Sequence, residues 1–262
     1  MPEPFDTPFM QRALIESLLL AGLAGVLGSW IVLRRLAFYT HGVGTAAFPG
    51  LVIAVPAGIA PQLTALASAL LYAGGVEGLR RRRLAADAAT GLALVGALAL
   101  GVVLASDVFE TGAGVDRLLF GSLIGLSDRD LWLTAVVLAV VTVLELLLRR
   151  SWLAQGFDPA TARTLGARPA LSDAVLLVAI AAAAVVALDA VGALLVTAVL
   201  VIPAATVRLV ATSVGSLQAG TAALAAVEGV AGLWIAYELN VGPGPVTAVL
   251  GGAVFALVAV LR

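Results

Sequence analysis

Leu131-Trp-Leu-Thr-Ala-Val-Val-Leu-Ala-Val-Val-Thr-Val-Leu-Glu145-Leu-Leu-Leu148-Arg149-Arg150 decides the fold. A single carboxylate interrupts a run that is otherwise almost wholly apolar, and the run stops on two arginines. Crossing the hydrocarbon of a bilayer takes about 20 such residues. The pattern recurs on both sides of this stretch. Long apolar runs alternate with short charged clusters, the largest being Arg80-Arg81-Arg82-Arg83. Hydrophobic residues make up 61% of the chain and charged ones 12%, with a mean hydropathy of +1.10. Soluble domains are roughly half apolar. The expected fold is therefore an all-α, polytopic membrane helix bundle. Its 262 residues allow about eight to nine spans in one transmembrane domain over residues 1–262.

Composition removes several function classes. There is no cysteine, which excludes disulfides, thiolate chemistry and cysteine metal sites. No GxxxxGK[ST] loop is present, so nucleotide hydrolysis is not expected in this chain. Lysine is absent as well, and every base is an arginine. The segment from Met1 to Pro8 is acidic rather than basic and does not read as a cleavable signal peptide.

Spans are expected near residues 13–33, 43–59, 61–79, 86–105, 131–148, 171–188, 191–207, 217–237 and 246–261, with 118–126 too short to cross. Cytoplasmic loops collect arginine. Placing Arg34, Arg35, Arg80 to Arg83, Arg149 and Arg150 inside puts the amino terminus outside and the carboxyl terminus in the cytoplasm. Asp107, Glu110, Asp116, Asp128, Asp130, Asp189 and Glu238 then fall on the outer side.

Three local features carry chemistry. The segment at about 151–170 holds Phe157, Asp158, Pro159, Arg163, Leu165 and Gly166. Asp158 suits an N-cap, Pro159 the first helical position and Gly166 the stop. A helix this short is unstable alone, so a docking partner is expected, with Phe157 and Leu165 as apolar anchors beside Asp158 and Arg163. A helix lying in the headgroups is the alternative. Second, His41 and Thr45 stand four apart on one helix face, and Pro49 cannot donate to the Thr45 carbonyl. Imidazole suits zinc and other transition metals; an interfacial histidine near Arg35 is the alternative. Third, Pro203 frees the carbonyl of Val199 and is read as a helix kink. Thr197 and Thr206 flank it, Asp189 precedes it, and Glu228 falls in the middle of the next span. An ionisable group there is a functional candidate, or a protonated glutamate bonded to a neighbouring helix.

The chain resembles the permease subunits of ABC importers for zinc, manganese and iron. The resemblance runs through Phe9-Met10-Gln-Arg12-Ala13-Leu14, Val32-Leu33-Arg34-Arg35-Leu36-Ala37-Phe38, Ala46-Ala47-Phe48-Pro49-Gly50 and Leu119-Phe120-Gly121-Ser122-Leu123. It continues in Gly156-Phe157-Asp158-Pro159 with Leu165-Gly166, then Val201-Ile202-Pro203-Ala204-Ala205-Thr206 and Gly242-Pro243-Gly244-Pro245. It implies a homodimeric permease, two cytoplasmic ATPase subunits that bind ATP, and an extracytoplasmic metal-binding protein. The segment from Phe157 to Gly166 would couple permease to ATPase. The family's usual aspartate, and the histidine four residues on, are here His41 and Thr45. Imidazole in place of carboxylate favours zinc over manganese, with charge from Glu228 or Asp189. No cofactor is expected in the chain itself; the divalent metal is cargo. The rival readings are a secondary transporter driven by an ion gradient, with Glu228 as proton carrier, and an ABC permease for a metal chelate.

Overall fold

The computed structural model describes residues 7–82, 84–108, 125–157, 169–192 and 195–262. Among the described residues the regular structure is entirely helical. Helix α1 runs Pro8–Leu33, with proline at its first turn, where a missing N–H costs nothing. It widens into a π turn at Ala24–Gly28, where Ser29 Oγ donates to the Gly25 carbonyl at 2.8 Å. Here α1 meets its neighbours closely. A methyl at Gly25 would lie 2.7 Å from Ala222 Cβ, and one at Gly28 would strike the Leu200 carbonyl. Small residues are what let helices approach in lipid.

Arg35, at φ 56°, turns the chain out of α1 into α2, Ala37–Ala46. Then comes α3, Phe48–Ala57. The span expected at 43–59 thus begins earlier and is broken at Ala47. Pro49 stands in the first turn of the new helix, where its missing N–H is tolerated. The Ala46 carbonyl, at the end of α2, accepts from Ser68 Oγ of the next helix at 2.6 Å, as buried irregular backbone in a membrane requires. Helix α4, Pro61–Arg81, has 21 residues, about 31 Å at the helical rise. Next is α5, Ala86–Val103, followed by a π turn at Leu104–Val108.

Helix α6, Asp128–Phe157, has 30 residues and does not stop at Arg149-Arg150 as the sequence suggests. Trp152 holds it together past the arginines. Its ring is fully buried, lies edge-on to Trp30 at 5.4 Å, and donates from Nε1 to the Ser172 carbonyl at 2.9 Å. Helix α7 is Pro169–Val191. Gly192, at φ 78°, ends it, since only glycine takes that conformation without strain. Helix α8, Val196–Arg208, therefore starts later than expected. Its 13 residues reach about 20 Å, short of the hydrocarbon thickness. Helix α9, Val214–Leu239, opens on a capping box between Ser213 and Ser216 and closes on Asn240 in the left-handed conformation. Helix α10 is Pro243–Val260.

Six of these helices, α1, α5, α6, α7, α9 and α10, are long and apolar enough to cross a membrane. Counting α2 and α3 in series as one span, with α4 and the short α8, gives nine among the described residues, the upper end of the eight to nine expected. Contacts distinguish the two rims. Arg12 pairs with Asp128 at 2.8 Å and Gln62 with Asp130 at 3.3 Å. Those residues begin α1, α6 and α4. At the other rim Arg34 pairs with Asp173 at 2.7 Å and reaches the Trp152 carbonyl at 3.4 Å. The apolar stretches of α1 and α7 are 61% buried, against 17% for α6 and 11% for α10. So α1 and the alanine-rich α7 form the interior, and α6 and α10 present leucine and valine outward, as lipid-facing helices do.

Candidate translocation site

Helix α2 places His41 and Thr45 one turn apart on the same face. His41 is half-buried, with Nδ1 3.4 Å from Thr197 Oγ1 on α8. That is long for a hydrogen bond, and it leaves the imidazole free to bind something else. Thr45 is 1% exposed, and its Oγ1 has no partner. Between them, Gly42 has only a hydrogen where the Tyr72 hydroxyl of α4 comes closest. Tyr72 in turn donates to the Thr90 carbonyl on α5 at 3.4 Å and lies 6.1 Å from the Tyr39 ring. Any side chain at Gly42 would push Tyr72 away and tilt the face that carries His41. Sequence reasoning missed Tyr72. Its only signal was a lone phenol in an apolar span.

Glu228 is elsewhere. It sits mid-way along α9, 4% exposed, in a small cavity with Ser17, Val199, Pro203 and Thr247 that neither His41 nor Thr45 lines. The Thr206 hydroxyl donates to the Ile202 carbonyl one turn back, at 2.9 Å, and not to the Val199 carbonyl that Pro203 leaves without a donor. Helix α8 runs on through Pro203, whereas Pro49 stands in the first turn of α3. Two further carboxylates are buried. Glu16 accepts from Thr134 at 2.8 Å, joining α1 to α6. Glu145 accepts from Gln218 at 3.1 Å, joining α6 to α9.

Asp189 lies in the last turn of α7, and Phe157 is the final residue of α6; their side chains are outside the described residues. Asp158, Arg163, Leu165 and Gly166 also fall outside them, between α6 and α7. Among the described residues no three His, Cys, Asp or Glu side chains gather as a metal cage. A single imidazole beside hydroxyls can pass a cation along but does not trap it.

A bundle of this many apolar helices, with its polar groups turned inward, is a multi-pass integral membrane protein. The chain belongs to the ABC 3 transport family, whose model matches residues 6–262. It is 32% identical, over 95% of its length and 89% of the relative's, to the manganese import system permease protein ScaB of Streptococcus parasanguinis. It is 28% identical to a probable iron transport system membrane protein of Haemophilus influenzae, over 97% and 94% of the two chains. Among solved structures, PsaBC from Streptococcus pneumoniae in complex with Fab superposes with a TM-score of 0.88 at 27% identity, covering 97% of this chain and 91% of that one.

Proposed function

We propose that this chain is the membrane subunit of an ATP-driven importer of divalent transition-metal ions, working as two copies with separate ATPase subunits and an extracytoplasmic metal-binding protein. The observation that carries the reading is His41. It is the chain's one histidine, held inside a membrane bundle at 3.4 Å from Thr197 and one turn from the unpaired Thr45 hydroxyl. The family to which the chain belongs supports the rest. Within the class the proposal is zinc, on the strength of the imidazole alone. The relatives' own names speak instead of manganese and iron.

The arginine-rich rim, with Arg34 and Arg149, faces the cytoplasm, so the amino terminus lies outside. There the segment 151–170 meets the ATPase through Phe157, Asp158, Arg163, Leu165 and Gly166. On ATP binding the two copies rock, and access to His41 and Thr45 alternates between the membrane faces. Asp189, near the outer rim, raises the local cation concentration.

Proteoliposomes holding all subunits provide the test. ATP-dependent uptake of radioactive zinc is expected to exceed that of manganese, and His41→Ala is expected to lower it at least about tenfold, equivalent to ~1.4 kcal/mol, without loss of assembly. Uptake by the permease alone, driven by an ion gradient, would overturn the ATP-driven reading. Manganese outrunning zinc would overturn the choice of metal.

A further inference from the structure

The two faces of α8 differ in chemistry. Thr197 turns toward His41. Val199 and Pro203, roughly half a turn round, line a cavity of about 30 Å³ between α1, the end of α7, α8, α9 and α10. One water needs about 10–15 Å³ by this measure, so the space suits an ion or a water or two. Glu228 enters it from α9. The residue is 4% exposed, and its Oε1 is buried with no hydrogen-bond partner. Buried polar atoms are nearly always satisfied, and a bare carboxylate deep in a bilayer is costly.

The other polar groups at the cavity are all oxygens. Ser17 packs its hydroxyl against Gly229, and Thr247 packs its own against Gly232, so both cross α9 where it has no side chains. The Thr247 hydroxyl donates to the Pro243 carbonyl at 2.9 Å, which leaves its lone pairs for a cation. The Val199 carbonyl has lost the donor that any residue but Pro203 would supply. Among the described residues Glu228 is the one ionisable side chain in the lining; α8 and α10 bring none, and α7 reaches the cavity through Val191. From α1 comes Glu16, beside Ser17, but it is bonded to Thr134 of α6. A divalent ion here would leave a net buried positive charge, whereas one positive charge cancels the carboxylate. Carboxylate, hydroxyl and carbonyl oxygens are hard ligands.

We propose that the Glu228 cavity binds a single sodium-sized monovalent cation, held by Glu228, Ser17, Thr247 and the Val199 carbonyl, on the side of α8 away from His41. The site ties α9 to α1, α8 and α10, and it requires no second copy.

Thermal unfolding of the purified full-length chain in detergent tests this, comparing sodium chloride with choline chloride at equal ionic strength and fixed pH. Sodium is expected to raise the unfolding temperature saturably. Glu228→Gln should remove that shift. Ser17→Ala and Thr247→Ala, which keep the carboxylate, should each raise the half-saturating sodium concentration by about three- to tenfold; they carry the test even if Glu228→Gln fails to fold. His41→Ala should retain the full sodium shift, so failure of the transport reading and failure of this one are distinguishable. Equal unfolding in sodium and choline, or a sodium shift that survives Glu228→Gln, overturns the proposal. So does a stabilisation that responds to pH but not to sodium, which would mean the cavity holds a proton.

Discussion

Gly28 and Gly74 are the same residue in two opposite situations. A methyl at Gly28 would run into the Leu200 backbone carbonyl of α8, and neither helix backbone can step aside. At Gly74, on α4, a methyl would meet nothing within 4 Å. Alanine is the better helix former by about 1 kcal/mol, but overpacking costs about 1–3 kcal/mol. Gly28→Ala is therefore expected to destabilise by up to about 2 kcal/mol, and Gly74→Ala to stabilise by up to about 1 kcal/mol. Unfolding in detergent checks both signs. The sequence gives no means of telling the two glycines apart, because the difference lies in which neighbour each one faces. His41 and Thr45 were legible as a pair, since four-residue spacing fixes their common face. Their companions Thr197 and Tyr72 come from other helices, and no local pattern announces which hydroxyl will arrive.

At the scale of elements, the apolar runs were legible because hydrocarbon thickness sets their length, and arginines mark where they end. What the runs do not encode is where packing overrides them. Helix α6 goes on to Phe157 because Trp152 docks on Trp30 and Ser172. At the break by Ala47, Ser68 of α4 donates to the Ala46 carbonyl, a contact from a distant helix that the run itself does not announce. The same logic applies to Arg34. It binds Asp173 at 2.7 Å and the Trp152 carbonyl at 3.4 Å, so the end of α1 is fastened to both helices that flank the proposed coupling segment. Arg34→Ala is expected to cost about 1 kcal/mol, the usual value for a charged hydrogen bond being discounted because the Asp173 side chain is 44% exposed. Coupled to the ATPase, the variant should hydrolyse ATP while importing less metal. Arg34→Asp combined with Asp173→Arg should recover part of the uptake; no recovery would mean that Arg34 acts through Trp152 alone.

For the whole molecule, the rim contacts place the starts of α1, α4 and α6 together at one end and the end of α1 with the start of α7 at the other. That end-to-end alternation was legible from the spacing of apolar runs and arginine clusters. Which rim meets the cytoplasm is open to direct measurement, because the chain lacks cysteine. Val210→Cys, 60% exposed in the native residue, and Val241→Cys, 49% exposed, stand at opposite rims. An impermeant maleimide applied to intact cells should label position 241 and reach 210 only after permeabilisation; the reverse order would invert the assigned orientation. The fastenings of α1 at its two rims are unequal. Arg12 and Asp128 are 42% and 74% exposed, while Arg34 is 15% exposed and holds two partners. Exposed ion pairs are worth little and are screened by salt. If this long strut swings at all, its fulcrum is therefore the arginine-rich rim, and the free sweep belongs to the end that carries Arg12.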